Sequence, residues 1–318
     1  MLNGETALLV VAFNRPHLLK KLLIMLIEVD NISLHVVIDG PRIGNLKDKK
    51  QVEECTKIVD ELGKEKDIEI FIRKTNLGIR KGIPDAINWV LRNNSKIIIV
   101  EEDVIPSLDC INFLIKSLDE NESNKLIGHI SGYNLVPETR ITKNNESSRL
   151  SIYPESYCWA TWKDRWKIYS DELNITPGFK APNSNLMDRI YWKLCFFQAR
   201  LNLVDTWAYR WIYSLWEHGL LCISPNRNLS NYQGWTNGTH TFKRSRFFEP
   251  EIGKVESLKN RTENLFPDMR ADRYLRKEIF RITLFGVVVK FIETLILLVY
   301  WRKGIYKIKK KSNEYTEI

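Results

Sequence analysis

"ALLVVAFNRPHLLKKLLIMLIEVDNISLHVVIDG", residues 7–40, holds three elements of alternating type. Ala7–Phe13 is a short apolar run that stops at the polar pair Asn14 and Arg15. "PHLLKKLLIMLIEV" then carries apolar residues at helical spacing, with Pro16 pre-setting the backbone angle of a first turn. "LHVVIDG" returns to an apolar strand that Gly40-Pro41 terminates. The alternation continues through "QVEECTKIVDELG" as helix, "IEIFIRK" as strand, "GIPDAINWVLRN" as helix and "KIIIVEED" as strand. Strands joined by helices of about a dozen residues form βαβ units, whose strands pair in parallel and whose helices cover both faces of the sheet. The expected fold class is therefore α/β with a mostly parallel, Rossmann-like sheet.

Ligands of such sheets bind beyond the carboxyl ends of the strands. Here those positions hold Asn14 and Arg15, Asp39 and Gly40, Asn76 to Arg80, and the three carboxylates Glu101, Glu102 and Asp103. Burying adjacent carboxylates without compensation costs several kcal/mol per charge, so a positive group is expected beside them. A hard divalent cation such as Mg²⁺ or Mn²⁺ is an economical one, because it takes oxygen ligands and bridges to phosphates. Strand alternation sends Glu101 and Asp103 to one side and Glu102 to the other, which makes Asp103 the better direct ligand and Glu101 its neighbour. The bland alternative is a solvated acidic turn, with Asp103 at the N-terminus of a helix that begins near Pro106.

The chain has 318 residues, 44% of them apolar, which is ample for a core. Its net charge of +9 owes much to Arg302, Lys303, Lys307, Lys309, Lys310 and Lys311, so a polyanionic partner is expected at this end and nucleic acid is not an expected partner. Five cysteines without short paired spacing suggest neither a disulfide framework nor structural zinc, and fit a reducing compartment. The start of the chain runs into the first strand without the features of a signal peptide.

From about residue 128 the pattern changes to short strand-like pieces, "HISGYN" and "LCISP", among aromatic segments, "YCWATWKDRW" and "DTWAYRWIYSLWEHG". Such rings stack on sugars or fill cores, and Trp159, Trp162, Trp207 and Trp211 are candidates for either role. "EIFRITLFGVVVKFIETLILLVYW", residues 278–301, is almost wholly apolar, but Lys290 and Glu293 interrupt it and argue against a simple span. An interfacial helix at 279–301 whose basic flank meets an anionic membrane surface through residues 279–311 is the leading reading; a buried helix and a dimer helix are the alternatives. The expected organisation is 1–127 as one half of a domain, 128–250 as its second half, and 251–318 as a C-terminal extension.

"LLVVAFNRP", the strand ending in Asp39, "NLGIRKG" and "IIVEEDVIPS" together resemble the nucleotide-sugar half of GT-A fold glycosyltransferases. The chain is most similar to bacterial family-2-like sugar transferases related to the N-acetylglucosaminyltransferase I type, and "SGYN", "YCWATWKDRW", "DTWAYRW" and "NGTH" extend the likeness over about residues 6–241. The resemblance implies a nucleoside diphosphate sugar donor, UDP-linked, and an inverting transfer to a hydroxyl of a surface or lipid-linked glycan. Phe13, Asn14 and Arg15 would line the base and ribose pocket, Asp39 would bond the base, and Asn76 and Arg80 would lie near the nucleotide. Glu101, Glu102 and Asp103 would form the acidic signature, with Asp103 on Mn²⁺ or Mg²⁺.

An inverting transfer needs a carboxylate to accept the acceptor's proton. Asp205 is the candidate, with Glu217 and Asp164 in reserve, although some relatives carry the acid where this chain has Ala208 and Asp205 also suits a helix N-cap. His240 is a further metal ligand, a diphosphate donor or a turn residue. Two other functions compete. One is a catalytically degenerate module that binds nucleotide or glycan within an assembly complex; the other, a nucleotidyltransferase, would want a Gly-rich basic loop where this chain has "AFNRPHLL". The expected location is the cytoplasmic face of the cell membrane, with peripheral attachment.

Overall fold

The computed structural model describes residues 6–64, 66–143, 145–182, 185–234, 252–253 and 266–302. Strand β1 (Thr6–Ala12) is buried along almost its whole length, with Ala7 and Leu9 packed on one face and Leu8, Val10 and Ala12 on the other. Such two-sided burial is why its sequence is continuously apolar rather than alternating. Parallel to it run β2 (Ile32–Ile38) and, beyond that, β3 (Ile68–Ile72); on its other side lies β4 (Lys96–Glu101), also parallel. The connecting helices α1 (Pro16–Ile27), α2 (Leu46–Leu62) and α3 (Gly78–Val90) divide between the faces, α1 and α2 on one and α3 on the other.

The chain thus winds outward from β1 to β3 and returns to the far side of β1 as β4. This reversal puts a topological switch point between the carboxyl ends of β1 and β4. Two elements follow at once, β5 (Val104–Pro106) and α4 (Leu108–Glu120), the latter capped by the Ser107 hydroxyl, which accepts from the Cys110 N–H at 3.1 Å. Asp103 is therefore not at that helix's N-terminus, and the bland reading of the carboxylates as its capping turn does not hold.

The same sheet extends into the aromatic half. Strands β6 (Ile127–Ser131), β7 (Ser148–Ser151), β8 (Cys158–Trp162) and β9 (Leu221–Pro225) give the order β3-β2-β1-β4-β8-β6-β9-β7, with β8 antiparallel to β4. The expected fold class, a large mostly parallel sheet with flanking helices and an apolar C-terminal helix, is what the structure has. A separate ribbon pairs β5 with β10 (Ser230–Tyr232) in antiparallel fashion. Helices α5 (Lys163–Trp166), α6 (Leu186–Arg200) and α7 (Ala208–Glu217) precede β9, and α8 (Met269–Tyr274) leads through a π-helical turn to α9 (Leu284–Arg302).

Trp159, Trp162, Trp207 and Trp211 are at most 3% exposed. Trp159 stacks on Trp207 at 5.3 Å and on His129 at 4.9 Å, and Trp211 donates its indole N–H to His129 Nδ1 at 3.2 Å. The four rings are core; none lines an open cleft. Burial of Trp159, Trp207 and Trp211 anchors the α6–α7 segment to the sheet, Trp162 packing on the opposite face, and Arg210, 1% exposed, locks it. Its guanidinium donates to the carbonyls of Ala199, Thr206 and Asp171 and to Asn202 Oδ1, at 2.7 to 2.9 Å. Removing that fork strands several buried acceptors, so Arg210→Met should cost about 3 kcal/mol or more in urea unfolding with an unchanged slope. A midpoint equal to wild type would contradict the anchoring role.

Candidate functional site

The site assembles at the carboxyl ends of β1 to β4. Arg15, the residue before α1, donates from Nη1 to Asp103 Oδ2 and lies 3.9 Å from Glu102 Oε1 through Nε. Glu102 Oε2 accepts the Phe13 N–H at 2.9 Å, tying the end of β4 to the end of β1. Burial works against the Arg15 charge, yet Asp103 and Glu102 outweigh it and raise the Arg15 pKa. The positive group that the carboxylates require is thus supplied from within the chain.

The three acids divide differently from strand alternation. The chain turns at Glu102 and Asp103, and those two share Arg15, whereas Glu101 has no hydrogen-bond or ion-pair partner among the described residues and remains partly open. Burial pushes Glu101 up to about 8, reinforced by Asp103 and opposed by Arg15. Burial likewise pushes Glu102 up to about 7, against the Phe13 N–H and Arg15.

Two tyrosines and a glycine that sequence reasoning missed complete this end. Tyr157 and Tyr232 pack at 4.9 Å; burial, reinforced by the carboxylates of Glu101 and Asp103, raises both phenols, the first to about 12. They therefore stay protonated donors beside acids. The β5–β10 ribbon delivers Tyr232, and the Gln233 N–H donates to the Asp103 carbonyl at 2.7 Å. A Cβ on Gly234 would meet Tyr232 Oη and lie 2.6 Å from Asp103 Oδ2, so a larger residue there would push these side chains apart. The signal was present as "SNYQG", but nothing in it names a strand partner. His240 and the rest of "NGTH", like Lys303 and the other lysines of the basic tail, lie outside the described residues.

At the ends of β2 and β3, Asp39 is 8% exposed and accepts the N–H groups of Gly40, Leu77 and Gly78 at 3.0 to 3.1 Å. Burial raises its pKa against those donors and Arg73, whose Nη1 is 3.5 Å away. Asn76 Nδ2 donates to the Gly40 carbonyl at 2.9 Å, and a Cβ on Gly40 would lie 2.5 Å from the Thr75 backbone. Asp39 and Asn76 thus hold the two loops together as one floor. The expected "NLGIRKG" turn is shorter than read, because Gly78, at φ +70, opens α3 and Arg80 lies within it. Arg80 Nη1 reaches Asp171 at 2.6 to 2.7 Å, so its guanidinium braces the aromatic half against this floor. Asn14 Nδ2 donates to the buried Asp48 at 2.9 Å, and Arg42 lies 5.7 Å from the Phe13 ring centre.

Asp205 is exposed in the loop before α7, and its Oδ2 lies 3.3 Å from where a Cβ on Gly78 would stand. It is not the N-cap of α7, which is Trp207; Thr206 Oγ1 accepts the Ala208 N–H at 3.2 Å. The reserve acids are engaged elsewhere, Asp164 with Lys125 and Arg165, and Glu217 with Tyr213 at 2.7 Å. Among the described residues no group of three or more His, Cys, Asp and Glu side chains is arranged to hold a metal. A closed all-protein metal site is thereby absent from them. One or two carboxylates still suit an ion of the Mg²⁺ type, which keeps waters and takes the rest of its oxygens from phosphates.

No protein-family model matches the chain, and no curated protein does. Solved structures with partial likeness include the mannosyltransferase PcManGT from Pyrobaculum calidifontis in complex with GDP-Man and Mn²⁺, at 14% identity and a TM-score of 0.35, covering 60% of this chain and 54% of that one. TarS 1–349 of S. aureus follows at 15% identity and 0.39, covering 62% and 56%. A 4-diphosphocytidyl-2C-methyl-D-erythritol synthase from Anaerococcus prevotii gives 11% and 0.36, covering 76% and 93%. The match takes in little over half the length of the first two.

The raised carboxylates carry a sign that can be measured. Glu101 titrates higher folded than unfolded, so folding favours its protonated form: that contribution is full below about pH 4 and is lost as pH rises through about 8. The stability of wild type relative to Glu101→Gln should fall between pH 5 and 8, by up to about 1.4 kcal/mol per pH unit. A difference that is flat across that range in chemical denaturation would contradict the buried-cluster geometry.

Proposed function

We propose that the protein is a glycosyltransferase that moves a sugar from a nucleoside diphosphate donor, UDP-linked, to a hydroxyl of a surface or lipid-linked glycan with inversion. The observation that carries this reading is the convergence of four strand ends on one crevice at a topological switch point, with Arg15, Glu101, Glu102 and Asp103 between β1 and β4. Three of the stretches that resemble GT-A enzymes, "LLVVAFNRP", "NLGIRKG" and "IIVEEDVIPS", fall on that same edge. The nucleoside lies over the floor that Asp39 and Asn76 hold, against Phe13, and Arg80 keeps that floor fixed to the aromatic half.

Asp103, with Glu101 beside it, would hold a divalent ion; His240 joins them only through the resemblance. Such an ion, Mn²⁺ or Mg²⁺, neutralises the charge that builds on a leaving nucleoside diphosphate. Arg15 orients Asp103 in the crevice, and Glu102 fixes Arg15 from the other side. Asp205 takes the proton of the acceptor hydroxyl as that oxygen bonds to the anomeric carbon and the bond to the diphosphate breaks on the opposite face. Helix α9 and the lysines after it attach the enzyme peripherally to the cytoplasmic face of the membrane.

Calorimetry with UDP should show binding that strengthens with Mn²⁺ in wild type and that is weakened at least about tenfold in Asp103→Asn. Undiminished metal-dependent binding by that variant would remove Asp103 from the site. Asp205→Asn should leave donor affinity unchanged while lowering turnover by about 10²–10⁴. A second reading, a nucleotide- or glycan-binding module without catalysis, is favoured by Ala208 at the position where relatives carry an acid. Wild type that binds donor but neither transfers nor hydrolyses it would establish that reading instead.

A further inference from the structure

Helix α9 is 19 residues long with mean hydropathy 2.0, and only 11% of its apolar stretch is buried. Its polar interruptions are turned inward or to the edge. Lys290 pairs with Glu293 at 2.7 Å and lies 5.9 Å from the ring centre of Tyr191 on α6, while buried Thr294 takes a 2.7 Å bond from Gln198, also on α6. The outward apolar residues, including Phe285, Phe291, Ile292 and Ile296, are about half exposed or more, with Glu293 at their edge and Arg302 at their end. Lys290 and Glu293 thus stand beside α6 and at the border of the apolar face, not across it.

That neighbour has an apolar face of its own. On α6, Leu186, Ile190 and Phe197 fall within one narrow strip by helical spacing and are 72%, 40% and 37% exposed. On the side of the strip away from α9 stand Lys193, Arg200 and Arg189, all exposed. On the side toward α9 stand the half-buried Leu194 and Leu201. The two helices therefore present one apolar surface with a basic border, and Arg302 with the tail lysines adds the same charge at the end of α9. A second copy of the chain is disfavoured as the occupant, because a two-fold contact would bring the basic borders together. An anionic bilayer fits both parts, with the apolar strip among acyl chains and the cations among headgroups.

We infer that α6 and α9 form a single platform that seats the protein on an anionic lipid surface, so that α6, and not the C-terminal helix alone, faces the bilayer. This deepens the proposed peripheral attachment and rests on it. The platform has a consequence for substrate entry. The end of α6 is locked to the Asp205 loop by Arg210, through Ala199, Asn202 and Thr206. The acceptor side of the site is then held next to the membrane, as a lipid-linked acceptor requires.

All five native cysteines are buried, so a cysteine placed on the surface can be labelled selectively with an environment-sensitive fluorophore in the full chain. The three positions are Phe197→Cys on α6, Ile292→Cys on α9 and Lys57→Cys on α2, which packs on the opposite face of the sheet. With mixed phosphatidylcholine–phosphatidylglycerol vesicles the first two labels should shift to the blue and brighten severalfold, while the third stays aqueous. Replacing Arg189, Lys193 and Arg200 by Gln should weaken partitioning on the order of a hundredfold at low salt, with little effect on neutral vesicles. A lipid response at Ile292→Cys with an aqueous Phe197→Cys would overturn the platform and leave the attachment of α9 intact. No response at either position would remove the attachment itself, and the platform with it. A shift that grows with protein concentration without vesicles would assign the surface to a second copy and overturn the proposal.

Discussion

Arg15 stands where the ends of β1 and β4 diverge, and its guanidinium allows Glu102 and Asp103 to sit 5% and 6% exposed. Without a cation, two such groups would each cost several kcal/mol to bury and would take up protons instead. The rest of the crevice follows from that pairing. Phe13 is drawn to Glu102 through its N–H, β5 starts immediately beyond Asp103, and β10 pairs with β5 to bring Tyr232 and Gly234 alongside. The same device recurs at the end of β2, where Arg73 faces Asp39, and in the first turn of α2, where Arg42 faces Asp48. Strand-end acids in this sheet are built in pairs with arginines, and Glu101 is the acid of the cluster without such a partner among the described residues.

The aromatic half contributes a scaffold. Trp159, Trp166, Trp192, Trp207, Trp211 and Trp216 pack into the core shared by α3, α6 and α7, and this burial fixes the loop that brings Asp205 to Gly78. Arg80 and Arg210 converge on Asp171 and join that scaffold to the floor of the crevice. The two halves of the chain thereby share one sheet and one set of ion pairs, which fixes the relative position of the two candidate substrate sites.

The parallel half was legible because continuous apolar runs and helical spacing are local signals, and β1 to β4 with α1 to α3 fall close to where those signals place them. The polar clusters at the strand ends were legible for the same reason. What local pattern could not supply was partnership across long separations. Arg15 reads as a loop residue until Asp103 lies against it, and Tyr232 and Gly234 belong to the site only through the register of β10 on β5. Strand alternation misassigned Glu102, since the chain turns at that residue. The tryptophans were ambiguous because a ring suited to a sugar is equally suited to a core, and burial decides between them. In α9 the charges looked like a defect until Tyr191 and Gln198 were found opposite the helix.

The central claim is that the β1–β4 crevice binds a nucleoside diphosphate sugar with a divalent ion. A thermal-shift panel of such donors, each with and without Mn²⁺, tests it most directly, because a ligand that binds only the folded state stabilises it by about 2.7 kcal/mol at a hundred times its dissociation constant. The account predicts a rise in melting temperature for UDP-linked donors that depends on Mn²⁺ and is lost in Asp103→Asn. A panel in which no donor shifts the wild-type transition, with or without Mn²⁺, would contradict it.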